Sequence, residues 1–148
     1  MPAAAVIDAS VAVKWFLPAE DHAEDALALL HARAAGSVRL VVPSLLFYEV
    51  SNALLVAVRR NRLAREDYLD ALEALFRLGL EAADLPDYHR RAAALAYAYG
   101  RSAYDAAYLA LAESRGAVFL TADRRLYNAV GEHLPWVRWL ADWRETLS

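Results

Sequence analysis

The sequence contains no cysteine and no glutamine, and only one of its 148 residues is lysine. Without cysteine, the chain can form no disulfide, no zinc–thiolate site and no thiol nucleophile. Five glycines and five prolines are too few for a collagen-like or linker-rich chain. No uncharged stretch approaches the ~20 residues that a membrane-spanning helix needs, so we expect no membrane partner.

The start of the sequence does not resemble a secretory signal. No basic residue precedes the apolar run Ala3–Ile7, and Asp8 interrupts it. The absence of cysteine, and so of disulfides, is consistent with a reducing compartment. We therefore expect a cytoplasmic protein.

Hydrophobic residues make up 59% of the chain and charged residues 24%, which is typical of a folded protein with a substantial core. At this length, residues 1–148 are predicted to form a single domain. The formal net charge of −3 argues against broad electrostatic wrapping of nucleic acid. It is compatible with a nuclease whose acidic site recruits metal ions.

Short apolar runs alternate with longer amphipathic stretches along the chain, a pattern that predicts an α/β fold. The predicted strands are Ala4–Asp8, Arg39–Val42, a weak strand over Leu80–Leu85, Ala117–Thr121 and an edge strand over Trp136–Leu140. The predicted helices are Glu20–Ala35, Ser44–Arg60, Arg65–Leu78, Pro86–Gly100, Ser102–Ser114 and Arg124–Val130. Strands that are apolar throughout favour a mainly parallel sheet covered on both faces.

Two of the predicted strands are followed by an aspartate, Asp8 and Asp123. Ligands of parallel sheets bind outside the carboxyl ends of the strands, so neighbouring strands would bring both carboxylates to one edge. Ser10 and Thr121 add hydroxyl groups close to them in sequence. The alternative is that each aspartate only caps the helix that follows it.

Two further carboxylates lie on predicted helices. Glu49 occurs within the very apolar stretch Leu45–Val58, which predicts a helix buried nearly all round. A buried carboxylate needs a cation or an arginine to compensate it, and Asn52, at i+3, could orient it. Asp105 follows Ser102 at capping-box spacing, so a purely structural role is its alternative.

A cluster of carboxylates cannot stay ionised without a counter-charge, because like charges in a partly buried site repel strongly. All-oxygen ligation selects Mg²⁺ or Mn²⁺ over zinc. Such ions suit the hydrolysis of phosphodiester bonds. Arg124 adjoins Asp123 and is a candidate to hold a substrate phosphate, whereas Trp136, Trp139 and Trp143 are predicted to anchor the core or an interface.

Four stretches, in order and spanning nearly the whole chain, give the sequence a resemblance to PIN-domain proteins of the VapC toxin type. They are Val6–Phe16, Pro43–Leu54, Tyr104–Ala112 and Phe119–Asp123. The resemblance implies an α/β/α sandwich with a parallel five-stranded sheet. It also implies Mg²⁺-dependent endoribonuclease activity, within a toxin–antitoxin pair and commonly as a homodimer.

By motif position, the resemblance makes Asp8, Glu49, Asp105 and Asp123 the catalytic, metal-binding quartet. Ser10 and Thr121 match the hydroxyl positions of the family, and Asn52 matches the polar residue after its glutamate. Two alternatives stay open. The first is a PIN nuclease of RNA processing or decay without an antitoxin, and the second is a non-catalytic interaction module.

Overall fold

A computed structural model describes residues 2–148. Its five strands are β1 (Ala3–Ile7), β2 (Val38–Val42), β3 (Glu81–Ala82), β4 (Val118–Thr121) and β5 (Val137–Trp139). They form one sheet in the order β3-β2-β1-β4-β5, and all four strand pairings are parallel. The predicted α/β sandwich with a five-stranded sheet is therefore confirmed, and the sheet is parallel throughout.

Eight α-helices connect and cover the strands of residues 2–148. They are α1 (Ala9–Ala12), α2 (Ala23–Ala34), α3 (Leu45–Arg59), α4 (Arg65–Arg77), α5 (Tyr88–Tyr99), α6 (Ala103–Arg115), α7 (Arg124–Val130) and α8 (Trp143–Leu147). None of them has both the length and the apolar character needed to cross a membrane. The 3₁₀ turn Val13–Trp15, α1 and α8 were not predicted. Each is too short to show a helical period in the sequence.

The central strands are buried on both faces, as an all-parallel sheet requires. The side chains of Ala5, Val6 and Ile7 are fully buried, and Phe119 and Leu120 of β4 are buried in the same way. Helix α6 packs on β1 and β4, α2 packs on β2, and α8 packs on β1 and β5. The middle of the sheet is therefore the rigid base from which the loops at its carboxyl edge extend.

Two predicted elements are shorter than expected. The third strand is only Glu81–Ala82, an exposed edge strand, and one further backbone hydrogen bond to β2 follows it, from the Ala83 N–H to the Val42 carbonyl at 2.9 Å. Helix α2 begins at Ala23 rather than Glu20, because His22 adopts a left-handed conformation with φ of 63°. A residue in that conformation cannot continue a right-handed helix.

Helix α3 differs from the prediction in its burial. Leu46, Val50, Leu54 and Ala57 form one fully packed face, whereas Tyr48 is 79% exposed. The expectation that this helix is buried nearly all round is therefore wrong. The helix packs on α1 and α4 by one side and leaves apolar side chains at the surface.

Candidate active site

Asp8 lies just beyond the end of β1, and Thr121 is the last residue of the neighbouring strand β4. The Thr121 hydroxyl donates a hydrogen bond from Oγ1 to Asp8 Oδ2 at 2.6 Å. Both side chains are buried, Asp8 with 7% and Thr121 with none of its surface exposed. The parallel pairing of β1 and β4 therefore fixes one carboxylate at the carboxyl edge of the sheet.

Ser10 connects the turn after β1 to the turn after β4. Its hydroxyl donates to Asp8 Oδ1, and it accepts a hydrogen bond from the backbone N–H of Ala122 at 2.9 Å. The backbone N–H of Asp123 donates to Thr121 Oγ1 at 3.0 Å. The hydroxyl groups at both predicted positions thus lie in one network with Asp8.

Asp123 caps helix α7. Its Oδ1 accepts from the N–H groups of Arg125 at 3.0 Å and Leu126 at 3.2 Å. The capping role that the sequence offered as an alternative is therefore present, and it involves one of the two carboxylate oxygens. Asp8 also precedes a helix, α1, but its side chain makes no capping hydrogen bond.

Glu49 of α3 is half-buried and is bonded to Tyr108 of α6. The Tyr108 hydroxyl donates to Glu49 Oε1 at 2.6 Å. None of the ion pairs within residues 2–148 includes Glu49, so the alternative of a structural salt bridge to an arginine is wrong. Within residues 2–148, Asn52 makes no hydrogen bond to Glu49. It is exposed, and both residues line a surface depression of about 340 Å³.

Asp105 is the third residue of α6 and makes only half of a capping box. Its backbone N–H donates to Ser102 Oγ at 3.0 Å. Its own carboxylate accepts no hydrogen bond within residues 2–148, so it does not make the return bond that a complete capping box has. The half-buried carboxylate is therefore left free for another partner.

The electrostatic state of these groups follows mainly from their burial. Burial raises the pKa of Asp8 to about 7, since the hydroxyl bonds only partly offset it and the nearby Asp123 adds to it. Burial, opposed by the tyrosine bond and assisted by Asp105, also raises the pKa of Glu49. The pKa of Asp105 is also raised overall, because burial and the nearby Asp123 raise it more than Arg101 lowers it. The four carboxylates thus form one electrostatically coupled series.

The donor set fits a hard divalent cation. It is made of oxygen atoms alone, and three of its four carboxylates lie where a positive charge would favour ionisation. Within residues 2–148, no three Asp, Glu or His side chains lie close enough together to hold one ion. Mg²⁺ does not require such a group, because it keeps several waters and is held through one or two carboxylates.

Two participants were not singled out from the sequence. Tyr108 is buried, its pKa is raised by burial and by the bond to Glu49, and it lies one helical turn after Asp105. That i+3 spacing was the available signal. Arg101, just before the cap of α6, faces Asp105 closely enough to lower its pKa, and no motif indicated this.

Arg124 does not pair with the carboxylates. Its guanidinium lies over the ring of Trp139, 3.8 Å from the ring centroid. Trp139 and Trp143 are buried, as their predicted anchoring role requires. The residue directly after Asp123 is therefore an exposed arginine that lies on an aromatic ring.

The parallel sheet, the acids at its carboxyl edge and the sequence all indicate the same class of protein. The family model for the PIN domain matches residues 5–132. The chain belongs to the PIN-domain family. Within it, the chain is of the VapC type: it is 33% identical over 123 residues to ribonuclease VapC3 of Pyrobaculum aerophilum, a match that covers 82% of this chain and 90% of that relative.

Two solved structures share the fold. The protein PAE2754 of Pyrobaculum aerophilum superposes with a TM-score of 0.69 at 23% identity, over 99% of this chain and 98% of the other. VapC20 of Mycobacterium tuberculosis, described as a toxin that cleaves the sarcin–ricin loop, superposes with a TM-score of 0.61 at 15% identity, over 85% and 95%. At these identities, the likeness is one of fold.

Proposed function

We propose that this protein is a metal-dependent endoribonuclease whose acidic site consists of Asp8, Glu49, Asp105 and Asp123. The observation that supports the proposal most is the coupled series of carboxylates, in which buried Asp8 has no cationic partner within residues 2–148. A structural role alone does not account for such a group, because an uncompensated buried carboxylate is costly. The ribonuclease name of the VapC3 relative indicates RNA as the substrate.

Asp8 and Asp123 would hold the ion most directly, with Glu49 and Asp105 completing the negative charge. Mg²⁺, or Mn²⁺ in its place, would supply Lewis-acid stabilisation of the phosphate and a more acidic water. Ser10 and Thr121 keep both oxygens of Asp8 in a fixed orientation. The proton of an attacking water would go to Glu49, whose raised pKa suits a general base and whose Oε2 is not bonded to Tyr108.

The proposal includes a role as the toxin of a toxin–antitoxin pair. Uncompensated carboxylates attract cationic side chains, so an arginine or lysine of a cognate antitoxin could occupy the place of the metal ion. The family relationship to VapC proteins supports this role. A PIN nuclease of RNA processing or decay, without an antitoxin, remains the alternative, and the complete acid set argues against a non-catalytic interaction module.

A homodimer in the cytoplasm is also part of the proposal. Large apolar side chains lie at the surface, including Tyr97 at 94% exposure, Tyr48, Phe76 and Tyr104. Large exposed apolar patches usually mark interfaces, and Tyr48 and Tyr104 line one depression. Light scattering at tens of micromolar is expected to give twice the mass of the chain, and a monomer would contradict this part.

The nuclease proposal is tested with purified protein and end-labelled single-stranded and hairpin RNA. Cleavage is expected with Mg²⁺, none with EDTA, and none with the Asp8→Asn variant. Asp84→Asn is the matched control, because Asp84 follows β3 at the same edge of the sheet and instead accepts hydrogen bonds from Ser44. Full activity of Asp8→Asn, or cleavage in EDTA, would contradict the proposal.

The toxin role needs a separate experiment. The chain is expressed alone and together with the product of any adjacent small gene. Growth arrest that this product relieves is the expected result. If the chain cleaves RNA but neither arrests growth nor binds a neighbouring product, the alternative of RNA processing holds.

A further inference from the structure

The stacked pair of Arg124 and Trp139 lies at the same edge of the sheet as the acids. Trp139 is the last residue of β5 and is paired in register with Thr121, the last residue of β4. Thr121 in turn donates to Asp8. Because adjacent parallel strands lie about 5 Å apart, the tryptophan is one strand away from the centre of the acidic network.

The Trp139 ring is itself held firmly. Only 9% of the residue is exposed, and its ring packs at an angle against Tyr127 of α7, 5.6 Å between centroids. The imidazole of His22 meets it edge-on, also at 5.6 Å. The ring is therefore a fixed platform, whereas the arginine that covers it is at the surface.

Arg124 forms no ion pair in the described chain, unlike five other arginines. Five arginines in the described chain form ion pairs with a glutamate: Arg39, Arg62, Arg77, Arg91 and Arg115. Arg124 follows Asp123 directly, yet no ion pair within residues 2–148 includes it. Its guanidinium thus lies on an aromatic ring and is not neutralised by a carboxylate.

Stacking uses the flat face of a guanidinium and leaves its edge free. The N–H groups of arginine point outward in the plane of the group, in a fork that matches two oxygens of a phosphate. A guanidinium on a tryptophan face therefore keeps its donors available, and less conformational freedom is lost when they bind. An arginine paired with Asp123 would have spent the same donors on that carboxylate.

We propose that Trp139 is a positioning residue, which holds the Arg124 guanidinium at the edge of the acidic site so that it binds a phosphate of the RNA substrate. This inference rests on the proposed nuclease function and adds a determinant of substrate affinity to it. The ring acts only through the arginine. Removing the ring and removing the guanidinium should therefore impair the same step.

The test is a double-mutant cycle in Mg²⁺-dependent RNA cleavage, with KM and kcat measured separately. Arg124→Ala is expected to raise KM about tenfold, since a charge-assisted contact to a phosphate is lost, and to change kcat less. Trp139→Leu is expected to raise KM several-fold. In the Trp139→Leu background, Arg124→Ala should raise KM less than about twofold further.

Two matched variants separate positioning from general charge and from folding. Arg125→Ala removes the neighbouring exposed arginine, which stacks on no aromatic ring of the described chain, and should leave KM within about twofold. Trp139→Phe keeps an aromatic face and should restore most of the affinity lost in Trp139→Leu. Melting temperatures of all variants identify any that fail to fold.

A measurement without substitution at Trp139 keeps the test decisive if Trp139→Leu does not fold. In the NMR spectrum of the Asp8→Asn protein, ring currents should shift the side-chain Nε–H resonance of Arg124 away from that of Arg125. Addition of RNA, which this variant does not cleave, should then shift the Arg124 resonance far more than the Arg125 resonance.

Several outcomes would overturn the inference while leaving the nuclease intact. They are independent effects of the two single variants, equal effects of Arg125→Ala and Arg124→Ala, or an unshifted Arg124 resonance. If instead the unmodified protein cleaves no RNA with Mg²⁺, the proposed function itself fails.

Discussion

The acidic site has two halves, which the chain holds in different ways. The sheet half consists of Asp8 and Asp123, which follow adjacent strands and are fixed by hydroxyl and backbone groups. The helix half consists of Glu49 and Asp105, which project from α3 and α6. Within residues 2–148, one side-chain bond, from Tyr108, contacts the carboxylates of the helix half.

The difference indicates where the electrostatic cost is concentrated and where an ion should bind first. Asp8 is nearly inaccessible and has a pKa raised to about 7, whereas Glu49 and Asp105 are half-buried. A cation near Asp8 would relieve the largest desolvation penalty in the site. The helix half can adjust more readily, because its carboxylates keep access to water.

Asp8→Asn should have the largest effect if the sheet half binds the ion. We expect kcat for RNA cleavage to fall roughly a thousandfold, because the amide cannot supply the negative charge that binds the metal. The protein should still fold, because asparagine has nearly the same shape, and removal of the buried charge offsets the loss of one of the two hydroxyl hydrogen bonds. Calorimetry should also find weaker Mg²⁺ binding, whereas Asp84→Asn should match the unmodified protein in both measurements.

The pH dependence of stability should follow from the same residue. Burial raises the pKa of Asp8 from 3.8 to about 7, so between these values the folded protein binds more protons than the unfolded one. The free energy of unfolding should therefore fall as the pH rises from about 4 to about 7, by up to about 4 kcal/mol. Urea unfolding in EDTA at several pH values checks this.

Asp8→Asn supplies the control for that experiment. Its free energy of unfolding should depend less on pH over the same window. Glu49 and Asp105, whose pKa values are also raised, should leave a smaller dependence of the same sign. An equally steep loss in both proteins would assign the effect to other groups.

Thr121→Val should break the connection within the sheet half. Valine fills the same volume but leaves Asp8 Oδ2 and the Asp123 N–H without a partner, at a cost of about 2 kcal/mol in urea unfolding. The hydroxyl bond lowers the pKa of Asp8, so its loss should also move the acidic limb of the rate profile to higher pH. Thr146→Val is the control, since that exposed hydroxyl bonds only the Asp142 carbonyl.

Tyr108→Phe should have the smallest effect, and it acts on the helix half. The ring stacks on Phe119 at 5.8 Å, so phenylalanine preserves the packing and stability should fall by only about 1 kcal/mol. Loss of the bond raises the pKa of Glu49 further, and kcat near neutral pH should fall several-fold. Tyr68→Phe, which removes a hydroxyl bonded to Ser51, should leave kcat unchanged.

The local parts of the fold could be predicted from the sequence. An apolar run that stops at Asp8 predicts a buried strand with a carboxylate at its end, because both features depend only on neighbouring residues. The burial of α3 was predicted wrongly, because burial depends on contacts with distant segments of the chain. An apolar composition does not specify which face meets the core, and here Tyr48 is left at the surface.

Local sequence specifies which residue types follow each strand and where most helices begin and end, and four ordered stretches specify the family. The tertiary fold places β1 beside β4, which brings Thr121 to Asp8 across 113 positions of sequence. It likewise allows the hydrogen bond from Tyr108 to Glu49 and places the Arg124 guanidinium on the Trp139 ring. Local patterns cannot encode these contacts, because strand order and burial arise from packing between distant segments, and burial in turn sets the pKa values of the site.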